Sequence, residues 1–399
     1  MTLRSMTRER RYLSGVRICA WCLGRQYSSL PDYVEETGKS MAKKRGVELS
    51  KNCELCGGAF ADRKRVIKNL VKTLQEYEFE TFQVGVTLPS ELVEREDEMR
   101  SKLKISTGVS LKKGLVSLYR KELARVLRKR PALKNPDVTI KLKLPMGDFE
   151  IECRPVTVYA TYLKLESGIA VRASFCPECG GEGCTACEWH GVQKSDGSVE
   201  GLLLRYFIDG FGAKKAKISW SGFDDDKSRV LGRGRPILVE LVAPSKRETG
   251  LFALKMKLSN EVQLIEAEMI QPARELIENL KKEVLLKAKF ERDLSPDEIR
   301  VLEKAYRDRE VIMHNAIDGR TRKKRVYFLQ ISPTHDGFGV HLFLDNAVGI
   351  RQLVRVKSDN RFSEDGLEPS FADVLPQNRV TSFEYDILGF ERLVAEEKH

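Results

Sequence analysis

Eight of the nine cysteines fall into four CxxC pairs: Cys19 and Cys22, Cys53 and Cys56, Cys176 and Cys179, Cys184 and Cys187. A CxxC turn aims two thiolates at one ion, and two such turns complete a tetrahedral zinc site. The first two pairs are distant in sequence, so a metal there would tie separate segments together. The other two share the run CPECGGEGCTAC, where glycines allow the left-handed turns of a compact knuckle. Four thiolates could also hold an iron–sulfur cluster, but the spacing matches neither ferredoxin run. A closed set of four cysteines leaves no open position on the metal, so both sites are read as structural zinc. Cys153, in a strand-like stretch, reads as a small buried hydrophobe. The five histidines, at 190, 314, 335, 341 and 399, have no metal or triad spacing.

The second group that could do chemistry is acidic. Residues 221–241 read SGFDDDKSRVLGRGRPILVEL: a glycine, three aspartates, an arginine, a glycine-rich turn and then a strand. The plain reading of Asp224, Asp225 and Asp226 is a solvated turn. Yet the chain carries a formal charge of +11, which suits a polyanionic partner, and RNA repels carboxylates that have no task. Arg233-Gly-Arg-Pro236 matches the core of a minor-groove AT-hook, but such hooks lie in disordered tails and here the strand-like ILVEL follows at once. An anionic membrane would also attract a basic chain. No apolar run of about 18 residues and no amphipathic anchor supports that. The basic N-terminus lacks the apolar core of a secretory signal. A soluble, cytoplasmic protein is expected, in a compartment where thiols bind metal rather than pair as disulfides.

These groups need elements to hold them. Apolar residues recur at helical spacing over 65–78 and 111–130, the second stretch with a strongly basic outer face. Residues 81–88 alternate as a strand does, and 138–144 and 149–158 add β character, with a turn at Met146-Gly147-Asp148. The run Arg320-Thr-Arg322-Lys323-Lys324-Arg325 precedes a strand-like 326–331 and is suited to phosphate contact. Mixed α+β architecture accounts for the pattern.

Several separated segments together resemble the archaeal-type tRNA pseudouridine synthases that act on positions 54 and 55 of the T-loop. They are CAWCLGRQ from Cys19, Cys53 to Cys56, FQVGVTLPSEL from Phe82, YATYLKLESGI from Tyr159, the cysteine knuckle, Gly222 to Leu241, and PSFADVL from Pro369. The resemblance implies a zinc-stabilised N-terminal RNA-binding region containing a THUMP domain, followed by a mixed-sheet pseudouridine synthase catalytic domain. The expected divisions are 1–60 for the zinc segment, 61–172 for the THUMP-like domain, 173–192 for the knuckle and 193–399 for the catalytic domain. In that family the catalytic aspartate stands three residues after a glycine. Gly222 then leads to Asp225, with Arg229, Leu231 and Gly232 in register and Phe223 and Lys227 as departures. By the same resemblance Phe290 takes the place of a base-stacking tyrosine, and Arg229, Arg351 and Arg361 are candidate basic partners of the carboxylate. Arg320, Arg322, Lys323, Lys324 and Arg325 resemble a basic thumb loop. The implied partner is tRNA, with no organic cofactor, no membrane and a monomeric state. The rival is a non-catalytic zinc-containing RNA-binding protein with a decayed synthase domain, which the changes at Phe223, Lys227 and Phe290 keep in play. A DNA-binding module would leave the C-terminal half without a task. A methyltransferase or thiolation enzyme would need a glycine-rich dinucleotide loop or a P-loop, and neither is found.

Overall fold

A computed structural model describes residues 11–31, 34–222, 224–247, 256–314, 320–355 and 366–392. The chain divides into two units, one running to Arg154 and including a short return at Ala243, the other made of Pro155–Val242 and the chain from Thr249 onward. Among the described residues no helix is long and apolar enough to cross a membrane.

In the first unit, helix α1 (Ala20–Tyr27) starts on a cysteine pair: Cys19 is its N-cap, and its Sγ accepts the Cys22 N–H at 3.4 Å. Helix α2 (Val34–Arg45) approaches so closely that a Cβ on Gly24 would sit 1.7 Å from the Val34 carbonyl oxygen, so only glycine fits there. Then come α3 (Arg63–Leu74), β1 (Thr81–Thr87), α4 (Ser90–Leu103), α5 (Leu111–Leu127), β2 (Arg130–Pro131), β3 (Val138–Lys143) and β4 (Asp148–Cys153). The strands form one sheet in the order β2-β1-β3-β4, with β1 parallel to β3 and β3 antiparallel to β4. Val66 and Leu70 of α3 and Leu115, Leu118 and Tyr119 of α5 recur at helical spacing and share one core with Phe82, Val84 and Ile140. Helix α4 carries the wholly enclosed Glu96, which takes Arg25, Arg100 at 3.2 Å and the Leu111 N–H at 2.9 Å, tying three helices together.

The second unit holds β5 (Val156–Lys164), α6 (Val199–Phe211), β6 (Lys215–Trp220), β7 (Ser228–Val242), β8 (Met256–Lys257), β9 (Val262–Ile270), β10 (Leu280–Phe290), α7 (Pro296–Tyr306), β11 (Arg309–His314), β12 (Thr321–Thr334), β13 (Gly337–Asp345), α8 (Ile350–Val354), β14 (Leu367–Glu368), α9 (Phe371–Val374) and β15 (Val380–Arg392). They build one mixed sheet in the order β14-β11-β12-β13-β10-β15-β7-β5-β9-β8, with β6 also paired to β7. Its seam is a short parallel ladder between β15 and the start of β7: Tyr385 opposite Ser228, Asp386 opposite Arg229, Ile387 opposite Val230. The loop with the three aspartates enters the sheet at this seam.

Two sequence expectations need correction. The stretch of β character expected over 149–158 is divided between two strands, β4 and β5, broken at Arg154-Pro155 because proline has no N–H to give a ladder. The boundary expected at 172 falls at Arg154 instead, since β5 bonds along its length to β7 and β9 of the second unit. The knuckle is a loop of that unit, closed by the bridge between Phe175 and Val192.

Candidate active site and metal centres

Each cysteine tetrad gathers in space. Within both sets every Sγ lies within 4.8 Å of the others. Measured separations include 4.0 Å for Cys19 and Cys56, 3.9 Å for Cys176 and Cys184, and 3.8 Å for Cys179 and Cys187. Tetrahedral zinc with bonds of about 2.3 Å sets its sulfurs about 3.8 Å apart, so both donor sets fit that ion. The surroundings suit thiolates too: Arg25, fully buried, points Nη2 at Cys22 Sγ from 3.8 Å. In the knuckle the backbone N–H groups of Gly183 and Gly191 donate to Cys179 and Cys187. His190 is not a further ligand; its Nε2 meets Asp209 at 2.7 Å.

The acidic loop is not a solvated turn. Its three aspartates have side-chain exposures of 0% for Asp224, 24% for Asp225 and 61% for Asp226, so one sequence run is split into three environments. Asp224 is buried among partners: the Tyr162 hydroxyl donates at 3.0 Å, Lys164 Nζ lies at 3.2 Å, Arg235 Nη1 at 3.2 Å, and the Ser228 hydroxyl also donates to it. Arg235 grips the loop backbone as well, donating to the Ser221 carbonyl at 2.9 Å and the Gly222 carbonyl at 2.6 Å. Gly222 has φ +66°, and a Cβ there would lie 2.2 Å from the Asn346 carbonyl oxygen, so the turn requires glycine. The Gly-Arg-Pro run is therefore the inside of a strand, with Arg235 only 2% exposed, and not a DNA hook.

Burial acts on the basic groups of this cluster. It drives the Lys164 amine below its ordinary value despite Asp224, and it opposes the Arg235 charge, which Tyr162 and Asp224 nevertheless hold above its usual range. Lys282, from β10, is enclosed beside them; burial first, then Arg235, push its amine down to about 7.

Asp225, the residue after Asp224, is a quarter exposed. Its Oδ1 accepts the Lys227 N–H at 2.9 Å, and its Oδ2 faces Arg351 Nε of α8 at 3.4 Å. Arg351 also reaches Asp226 through Nη2 at 3.1 Å. Asp225 lines a cavity of about 270 Å³ together with Asp224, Met313, His314, Arg320, Arg322, Lys324, Arg351 and Tyr385. A carboxylate held at the wall of a cavity that also carries three arginines and a lysine can attack, or take a proton from, a substrate that brings phosphates with it.

The other expected site residues separate into those the fold gathers here and those it does not. Arg351 is gathered. Arg229 is not: its guanidinium forms two 2.7 Å bonds to Asp386, its neighbour across the seam. Phe290 is half-buried at the end of β10, edge-on to Phe338 at 5.9 Å and absent from the cavity wall. The basic run is divided by the strand period. Arg320, Arg322 and Lys324 line the cavity, whereas Lys323 pairs with Glu310 at 2.8 Å and Arg325 with Asp308 at 3.1 Å. Arg361 and Phe223 lie outside the described residues. Sequence reasoning missed Tyr162, Lys164, Arg235, Lys282 and Tyr385; of these, Arg235 alone sits beside the acidic run, and its burial is visible only in the fold.

Comparison with known proteins bears on the same two units. The family described as Pus10 THUMP domain, archaeal, matches residues 66–143, and the family described as Pus10, C-terminal, matches residues 183–345. The chain is 28% identical to the tRNA pseudouridine synthase Pus10 of Korarchaeum cryptofilum over 84% of its own length and 92% of the relative's. It is 29% identical to the protein of the same name from Archaeoglobus fulgidus, over 70% and 80% of the two chains. Among solved structures, a chain of a Cbf5–Nop10–Gar1 complex is similar at a TM-score of 0.26 and 12% identity, covering 57% of each chain, a likeness too slight to build on.

Proposed function

From the premise that this chain belongs to the archaeal Pus10 family of tRNA pseudouridine synthases, which are isomerases, we propose that it converts uridine to pseudouridine at position 54, 55 or both of the T-loop, with Asp225 as catalytic carboxylate. The observation that carries the assignment is the sorting of the three aspartates. Asp224 and Asp225 both reach the cavity wall, but Asp224 is fully buried and consumed by four internal partners and Asp226 faces solvent, which leaves Asp225 as the partly exposed carboxylate there.

The reaction breaks the bond from N1 to C1′ and forms one from C5 to C1′; the proton lost from C5 is balanced by one gained at N1, with no redox change. Asp225 serves it either by adding to C1′ or by drawing a proton from the sugar, and both need the carboxylate ionised. Arg351 places positive charge beside Oδ2. A stacked uridine cannot reach the carboxylate, so the nucleotide must be extruded, at a cost of a few kcal/mol. The cavity, close to the lower end of small-ligand pockets at about 300 Å³, suits a single nucleoside, and Arg320, Arg322 and Lys324 on its wall supply positive charge for flanking phosphates. Both tetrads are read as structural zinc, one organising the RNA-binding unit and one the catalytic unit.

Purified protein incubated with an unmodified tRNA transcript, with pseudouridine mapped by chemical modification and primer extension, tests the reading. T-loop pseudouridine with the wild type and none with Asp225→Ala is expected. tRNA binding without pseudouridine in either would overturn it and leave a non-catalytic RNA-binding protein.

A further inference from the structure

The ring expected from Phe290 is absent from the cavity, and a different aromatic residue stands on its wall. Tyr385, on β15, is the only phenol among the described residues lining the cavity with Asp225. It is 4% exposed, its ring stacked on Phe383 at 6.3 Å with 21° between planes, and Phe383 in turn lies under the Lys227 ammonium at 5.2 Å. The parallel seam sets Tyr385 opposite Ser228, three residues beyond Asp225, and its hydroxyl is turned toward the Asp225 carboxylate and the Ser228 hydroxyl.

Asp225 has need of such a donor. Its Oδ1 is satisfied by the Lys227 N–H, but the Arg351 contact to Oδ2 is 3.4 Å, well beyond the roughly 2.7–2.9 Å of a strong charge-assisted bond. A carboxylate so held can swing with the arginine. Resting on the assignment of Asp225 above, we propose that Tyr385 is a positioning residue: its hydroxyl donates to Asp225 and, with the Lys227 N–H and Arg351, fixes the carboxylate for attack on the ribose of the extruded nucleotide. The three donors come from the loop itself, from α8 and from β15, so the carboxylate is held from separate parts of the sheet. Burial, and then the two neighbouring aspartates, raise the phenol well above its ordinary value, so it stays a proton donor throughout the working pH range. The role does not require the ring to touch the base.

Tyr385→Phe removes the hydroxyl and keeps the ring and its stack. With the full-length protein and a tRNA transcript, kcat for pseudouridine formation is expected to fall about tenfold, the worth of one hydrogen bond to a charged group. KM and Tm are expected to stay at wild-type values within twofold and about 2 °C. Phe383→Leu disturbs the same stack without touching a hydroxyl; it should lower Tm and leave kcat within twofold. Wild-type kcat in Tyr385→Phe, or an equal loss of kcat in Phe383→Leu, overturns the inference while leaving the assignment of Asp225 standing. A wild-type protein that binds tRNA and forms no pseudouridine overturns both.

Discussion

Replacing Asp224 and replacing Asp225 should have opposite signatures, although the two residues are adjacent. Asp224→Ala removes a carboxylate shared by two buried cations, Lys164 at 3.2 Å and Arg235 at 3.2 Å, with exposures of 0% and 2%. Breaking a buried pair by deleting one partner costs about 3–5 kcal/mol, because the charge left behind stays desolvated. Lys164 can relieve part of this by losing its proton, since burial already holds its amine low, but Arg235 cannot. A loss of about 4 kcal/mol in a unit of this size lowers its melting temperature by roughly 8–16 °C. Asp225→Ala removes a carboxylate that is a quarter exposed and whose ion pair with Arg351 is long, a loss of under about 1 kcal/mol, or a few degrees. Its activity, by contrast, should fall below detection.

The assay is thermal unfolding of both variants beside wild type, followed by tritium release from tRNA labelled at uridine C5, with Asp224→Ala assayed well below its own melting point. Equal melting temperatures for the two variants would refute the division of labour between a buried anchor and a working carboxylate. So would residual turnover by Asp225→Ala greater than that of Asp224→Ala.

Arg322→Gln should weaken tRNA binding and flatten the plot of log K against log salt by about one unit, whereas Lys323→Gln, already paired with Glu310, should leave the slope unchanged; filter binding between low and moderate salt separates them. Lys282 has a folded pKa of about 7 against an ordinary 10.5, so the penalty for burying its charge is fully present below about pH 7 and fades as pH rises toward 10.5. Lys282→Met should therefore raise Tm more at pH 6.5 than at pH 9, and a gain that grows with pH would contradict the sign. Cys22→Ser and Cys187→Ser should each cost one zinc per chain by metal analysis, and each should lower the melting of its own unit; full metal content in either would remove that tetrad from the reading.

What could be read from the sequence was local. A CxxC turn carries its own geometry, so both tetrads were legible as metal sites, and the acidic loop stood out against a basic chain. Partners brought from far along the chain were not. Arg351 could be named only among three candidates, and Arg229, nearest in sequence, is taken by Asp386 because the two sit opposite each other at the β7–β15 seam. The basic run was visible as a run, but its division needed β12 to be a strand paired to β11, which turns alternate residues to opposite faces. Tyr385 lies in Phe-Glu-Tyr-Asp-Ile, an alternation that reads as one core face; nothing local marks its position beside Asp225. Helix α4, with a charged surface and three buried residues, offered too little apolar periodicity to stand out.

The buried cluster beneath the loop bears on why the carboxylates are arranged in this way. Enclosing Asp224, Lys164, Arg235 and Lys282 together takes several charges out of water, and apolar side chains of similar volume would often stabilise a fold as well or better. Stability is thus a weak account of the cluster. Placement is a stronger one: Asp224 and Arg235 fasten side chain and backbone on both sides of the Gly222 turn, and the next residue along is Asp225 at the cavity wall. An apolar anchor could fill the same volume but could not fix the loop's direction, because dispersion contacts are not directional whereas these hydrogen bonds are. On this argument the anchor's energetic cost secures the orientation of one carboxylate, and loosening it while keeping its volume, as Asp224→Asn does, should reduce turnover before it reduces tRNA binding.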